Sequence, residues 1–205
     1  QISFPVYYLD YEASQSLLPP WDGTRPYQQV PFQYSLHIIK SLDAETEHRE
    51  FLHQDASNPM PDFIESLKQN IGNEGSVLVW FEAYEKTRNK ELGEMYPDSS
   101  VFLQDLNDRM IDLMKPFASD MVRDEGFKGS SSIKKVLPVL IPNINYDSLG
   151  IQEGATAARK WKDVTLGKKV PPTERDSVYS ELLEYCELDT LAMVKIHKAL
   201  ADFCA

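Results

Sequence analysis

The chain has 205 residues, 42% of them hydrophobic, and a formal net charge of −11. That length suits one globular domain. No apolar run approaches the roughly 18 residues of a membrane span, and no signal-peptide pattern opens the chain. The acidic balance argues against a broad grip on a nucleic-acid backbone, which needs a basic stripe, although carboxylates gathered to bind divalent cations inflate such a charge themselves.

In chain order, "FPVYYLDYEA" (4–13) reads as a strand buried on both faces. "LLPPWDGTRPYQQVP" (17–31) is rich in Pro, Gly and Asp and reads as a long loop. "FQYSLHII" (32–39) and "EHREFLHQ" (47–54) read as hairpin-linked strands. "PDFIESLKQNI" (61–71) is an amphipathic helix with Pro at its start, and "SVLVWF" (76–81) an apolar strand. "AYEKTRNKELGEMY" (83–96) is a helix with Glu85 and Arg88 spaced to interact. "VFLQDLNDRMIDLM" (101–114) is apolar at helical spacing, with "MIDLM" open to the alternative of a short edge strand. "SSIKKVLPVLI" (131–141) predicts a short helix, capped by a serine and disturbed near Pro138. Residues 142–175 read as a partly helical excursion, and 176–203 as the last helix. The order predicts an α/β domain with a mixed sheet.

The last helix has an apolar stripe of Val178, Leu182, Tyr185, Ala192, Ile196, Ala199 and Phe203, interrupted by Asp189. A buried carboxylate costs several kcal/mol or more unless it is paired, hydrogen-bonded or bound to a metal. Tyr185 and Asp189 stand at i,i+4 on one helix face. Asp10 and Glu12 stand two apart on a strand and so point the same way; a cation between them would relieve their repulsion. Each pattern alone is weak: two strand-end acids are as readily solvated, and a core Tyr beside a hydrogen-bonded Asp is ordinary. Cys186 and Cys204 make no disulfide framework, which fits a reducing cytoplasm. His37, His48, His53 and His197 show no HxxxH or HExxH pairing, which argues against a histidine zinc site.

Taken as an ordered set, these pieces resemble the DEDD, or DnaQ-like, 3′–5′ exonucleases of the ribonuclease H-like fold. They are similar, more closely, to a prokaryotic family catalogued as a domain of unknown function within that group. The stretches "YYLDYEAS", "GTRPYQQVPFQYS", "AYEKTRNKEL", "SIKKVLP" and "EYCELDTLAM" hold the likeness, which spans nearly the whole chain. The resemblance implies one exonuclease-like domain over 1–205, with Gln1 in place of an initiating Met suggesting a piece of a longer chain whose other domain is a partner. It implies metal ligands Asp10 and Glu12 from the D-x-E motif, and from the Y-x-x-x-D motif a catalytic Tyr185 and the metal ligand Asp189. The second motif, N-x-x-F-D, stands here as "FEAYE": Phe81 for the Asn, Tyr84 for the Phe and Glu85 for the Asp, with Glu82 a rival for that role.

The implied chemistry is phosphodiester hydrolysis at a single-stranded 3′ end of DNA or RNA. Two ions about 3.5–4 Å apart would stabilise the attacking and leaving oxygens. Asp10 would bridge them, Glu12 and Asp189 would complete the shell, Glu85 would act through water, and Tyr185 would position the nucleophile. Oxygen ligands favour Mg²⁺ or Mn²⁺ over zinc. Around that core, Lys134 faces either a phosphate or solvent. Gln33 and Arg25 line the cleft or anchor a loop, Trp21 and Tyr27 stack on a base or pack the loop, and Asp112 is either a nuclease acid or structural. Cys186 reads as a core residue. The competing expectations are a nucleic-acid-binding or assembly domain with weak or lost catalysis, and a phosphoesterase acting on small nucleotides.

Overall fold

A computed structural model describes residues 2–167 and 170–204. Gln1, Lys168, Lys169, Ala205 and the Cys204 side chain lie outside the described residues, and the reading of Cys204 with them. Five strands form one mixed sheet: β1 Val6–Ser14, β2 Val30–Ile39, β3 Glu47–Leu52, β4 Ser76–Val79 and β5 Met110–Asp112, in the order β3-β2-β1-β4-β5. β1–β2 and β2–β3 are antiparallel, while β1–β4 and β4–β5 are parallel. The helices are α1 Met60–Asn70, α2 Glu82–Met95, α3 Ser100–Asp108, α4 Lys115–Ala118, α5 Ile133–Leu140, α6 Gly154–Thr165 and α7 Pro172–Cys204. No helix among the described residues is long and apolar enough to cross a membrane.

The period-2 alternation of β1 sorts two cores. Tyr7, Leu9 and Tyr11 pack with Phe63, Leu67, Leu92 and Leu106 from α1, α2 and α3. Val6 and Tyr8 turn to the opposite face, towards Leu137, Trp161, Leu182 and Ile196 from α5, α6 and α7. Asp10 and Glu12 continue that second row, so the strand aims both acids at α7. Where β1 meets β2 the register slips between Glu12 and Ala13, leaving Phe32 as an extra residue. This bulge stacks Phe32 on the fully buried Trp161 of α6, with centroids 4.3 Å apart. Gly75, at φ +85°, brings the start of β4 so close to β1 that a Cβ would lie 2.0 Å from the Pro5 carbonyl.

Two expectations are corrected, and one alternative is decided. In the stretch 101–114 the edge-strand alternative for "MIDLM" holds: α3 ends at Asp108, and Met110–Asp112 forms the short edge strand β5 beside β4. Ser132 occupies the N-cap of α5, but its side chain makes no capping bond; its backbone carbonyl accepts from Lys135 and Val136. The stripe of α7 ends before Phe203, which is exposed, because the sheet it covers has ended.

Asp112, at the end of β5, is structural. One carboxylate oxygen accepts from Phe81 N at 3.1 Å and Met114 N at 2.9 Å, the other from Glu82 N at 3.2 Å. It thereby caps α2, whose own N-cap residue Phe81 sits in the left-handed region at φ +81° with no side-chain cap. Asp112→Ala is expected to cost about 2–4 kcal/mol in urea unfolding, since it orphans three N–H groups, and Asp112→Asn distinctly less. A loss within about 0.5 kcal/mol, typical of an inert surface site, would contradict this role.

Candidate active site

β1 and α7 bring Asp10, Glu12 and Asp189 together, each with a carboxylate oxygen within 4.8 Å of the others. The axial position of α7 is set by polar rungs from the sheet. Gln33 Nε2 donates to the Leu182 carbonyl at 2.8 Å, Ser35 Oγ meets Thr190 Oγ1 at 2.6 Å, and Tyr8 Oη meets His197 Nδ1 at 2.7 Å. Among the described residues no basic side chain forms an ion pair with the three acids. Burial raises all three; mutual repulsion adds to it at Asp10 and Glu12, while the Tyr146 hydrogen bond and Lys134 partly offset it at Asp189. Glu12 is pushed up to about 8 by burial and Asp189, and Asp189 to about 6 by burial. Asp10 rises well above the usual carboxylate range through burial and its neighbours Asp189, Glu12 and Glu85.

Glu85, in the first turn of α2, is 1% exposed and lines the same cleft. Burial also raises its carboxyl well above the ordinary range. The expected Glu85–Arg88 pairing does not form: Arg88 lies over the Tyr84 ring at 4.8 Å and pairs with Glu91 at 3.4 Å. Glu85 Oε2 is left buried with no hydrogen-bond partner, a costly state that a ligand would relieve. Glu82, its rival, is neutralised by Lys86 and Lys115 and held in its charged form by them. It does not line the cleft.

Tyr185, 4% exposed, accepts a hydrogen bond from Lys134 Nζ at 3.1 Å. Lys134 Nζ also lies over the Tyr185 and Tyr146 rings, at 4.9 and 5.4 Å. The solvated reading of Lys134 is thus corrected: it turns into the site. Burial, then Asp189 and Glu12, raise the Tyr185 hydroxyl, which keeps it a phenol.

Two cavities of about 640 and 590 Å³ share Asp10, Glu12, Trp80 and Phe81. The first runs between α2 and α6 and includes Arg159 and Lys162; the second runs past Ser132, Lys134, Tyr185 and Asp189. Phe81, 49% exposed, stands where they meet. Gly154 opens α6 against Glu12, and a Cβ there would lie 3.4 Å from Glu12 Oε2.

Other expectations fall away from the cleft. Gln33 is fully buried as the α7 anchor rather than a cleft residue. Arg25 is exposed and pairs with Glu91 at 2.5 Å, anchoring its loop. Trp21 packs that loop, donating to the Ala56 carbonyl at 3.1 Å and tilting over Trp161. Tyr27 lines neither cavity. Cys186 is buried with its thiol 3.8 Å from Asp10 Oδ2 and pushed well up by burial, so it is no nucleophile. Sequence reasoning missed Tyr146, whose hydroxyl donates to Asp189 Oδ1 at 2.5 Å, and the basic pair on α6. The sequence offers no periodic signal at Tyr146, but "AARKWKD" (157–163) carries its basic residues at helical spacing.

A carboxyl whose folded value exceeds its unfolded one stabilises the fold at low pH, and that stability is lost as pH rises through the folded value. With Glu12 moved from 4.5 to about 8 and Asp189 from 3.8 to about 6, the metal-free protein is expected to lose stability between pH 5 and pH 8. The expected fall in Tm is at least about 2–4 °C, the equivalent of about 1 kcal/mol, with Glu12→Gln flattening the upper part. A metal-free Tm that is flat or rising over that range, and equal in Glu12→Gln, would contradict the carboxylate stack.

A family model described as "Domain of unknown function (DUF2779)" matches residues 7–132, which include Asp10, Glu12 and Glu85. The "Uncharacterized protein MG366 homolog" of Mycoplasma pneumoniae is 24% identical over 96% of this chain, and "Uncharacterized protein MG366" of Mycoplasma genitalium 28% identical over 95%. The chain spans about a third of the length of these curated relatives, 32% of each. No solved structure matches. With more than half of its length under the family model, the chain belongs to the DUF2779 family.

Proposed function

We propose that the cleft is the active site of a metal-dependent 3′–5′ exonuclease of ribonuclease H-like type, acting on single-stranded DNA or RNA ends with Mg²⁺ or Mn²⁺. The observation that carries this reading is the convergence of Asp10, Glu12 and Asp189 within 4.8 Å, with no compensating ion pair among the described residues. The strand order β3-β2-β1-β4-β5, with one antiparallel hairpin arm and two parallel strands, supports the fold assignment.

The donor set fits the ions: it is all oxygen, as Mg²⁺ and Mn²⁺ prefer, and Glu85 contributes a buried oxygen without a partner. Asp10, Glu12 and Asp189 would hold the ions directly and Glu85 through water. When bound, such ions supply charge stabilisation for the attacking and leaving oxygens. The chain's own residues do the rest. Tyr185 accepts from Lys134, so its own proton points to the acceptor side, towards Asp189 and an attacking water beside it. Tyr146 fixes the rotamer of Asp189. Arg159 and Lys162 give the acidic molecule a local basic wall beside the carboxylates, suited to phosphates upstream of the scissile bond. Phe81 presents an exposed aromatic face there.

The second reading, a nucleic-acid-binding or assembly domain with weak catalysis, is favoured by the altered second motif, with Phe81 and Glu85 in place of Asn and Asp, and by Tyr146 engaging Asp189. The two separate on digestion of 5′-labelled single-stranded DNA and RNA with Mn²⁺. The exonuclease reading expects a ladder shortening from the 3′ end, reduced about a thousandfold or more in Asp10→Ala and Asp189→Ala, since each removes several kcal/mol of transition-state stabilisation. An intact substrate that is nonetheless bound would favour the second reading.

A further inference from the structure

Beside the carboxylates, the same faces of β2, β3 and α7 assemble a second group. His37 and His48 are directly opposite in the β2–β3 register, their rings 4.5 Å apart, and Glu187 of α7 comes to meet them. Each of the three offers a ligand atom within 4.8 Å of the others. Glu187 faces away from the nuclease cleft, which neither histidine lines.

Counting protons fixes the tautomers. Thr190 Oγ1 donates to the Glu187 carbonyl at 3.1 Å, so its single proton is used. Ser35 Oγ, 2.6 Å from Thr190 Oγ1, must then donate to it. With the Ser35 proton spent, His48 Nε2 at 2.9 Å is the donor to Ser35. By the same count His37 Nδ1, at 2.8 Å, is the donor to Thr190. In the neutral imidazoles the lone pairs then fall on the other nitrogen, Nε2 of His37 and Nδ1 of His48, and the latter lies 3.9 Å from Glu187 Oε1. A ring nitrogen held by a hydrogen bond while its partner nitrogen is free is how metal-bound histidines are oriented. Burial, aided by His48 and Lys195, lowers His37 to about 4, so its lone pair is available at neutral pH. Glu50 on β3 lies beside His48 and Glu187 and adds negative charge.

We propose that His37, His48 and Glu187 form a second metal site, selective for a borderline transition ion such as Zn²⁺ over Mg²⁺, that clamps α7 to the β2–β3 hairpin. Two imidazoles and one carboxylate, with a position left for water, are a recurrent zinc ligand set. Bonds of about 2.0–2.2 Å in a tetrahedron hold ligand atoms about 3.3–3.6 Å apart. The 3.9 Å gap to Glu187 closes by a small turn of that half-exposed side chain. Because Glu187 precedes Asp189 by two residues, an ion here would pin the helix that delivers Asp189 and Tyr185.

The test is Zn²⁺ titration by calorimetry on protein carrying Asp10→Asn, Glu12→Gln and Asp189→Asn, which removes all three converging carboxylates, in millimolar Mg²⁺. One equivalent should bind, and at about a hundredfold excess over Kd the ion should raise Tm by several degrees. His48→Gln and Glu187→Gln, added singly, should each weaken binding tenfold or more and remove the Tm rise. Glu187 is on the helix surface, so its isosteric change leaves folding intact. No Zn²⁺ uptake, or uptake unchanged in both variants, would overturn the site; neither result bears on exonuclease activity.

Discussion

Four carboxyl groups crowded at the end of β1 set the terms for the rest of the molecule. Asp10, Glu12, Glu85 and Asp189 are raised by burial, and among the described residues Lys134 and Arg88 offset that cost only in part. Left to itself such a cluster would splay into solvent. It persists because β1 is central and buried on its other face by Tyr7, Leu9 and Tyr11, and because α7 is tied down by Gln33, Ser35 and Tyr8. The apolar cores on the two sides of the sheet supply the energy that holds repelling groups in place, a stored strain of the kind found at functional sites.

That frame explains several details with no obvious purpose in isolation. Asp112 spends a buried carboxylate on three backbone N–H groups, and so holds Phe81 in a left-handed conformation at the junction of the two cavities. The bulge at Phe32 seats Trp161, which fixes α6; α6 in turn begins at Gly154 against Glu12 and carries Arg159 and Lys162 along the cleft. Each link is ordinary packing or hydrogen bonding. Together they place basic and aromatic groups around an acidic pit.

Much of this was legible in the sequence because the periodicities are local. The two-residue spacing of Asp10 and Glu12 survives any packing of β1, and the four-residue spacing of Tyr185 and Asp189 survives any packing of α7. The interrupted stripe of α7 correctly located a buried acid. What was hidden depends on distant pairing. Tyr146 reaches Asp189 from an irregular segment with no pattern. Gln33 fits either a cleft or an anchoring role on sequence alone, because strand alternation gives a face but not whether a helix covers it. His37 and His48 escaped because their eleven-residue separation becomes a direct contact only through the β2–β3 register. The Glu85–Arg88 pair failed for a related reason: helical spacing permits a contact, and Tyr84 and Glu91 competed for the guanidinium.

The central claim is that the cluster at Asp10, Glu12 and Asp189 exists to hold cations. Anomalous diffraction from crystals grown with Mn²⁺ tests it most directly. The expected result is one or two strong peaks between these side chains, separated by about 3.5–4 Å if two, and absent in Asp10→Asn crystals. Carboxyl groups hydrogen-bonded to one another, with no peak at millimolar Mn²⁺, would contradict it.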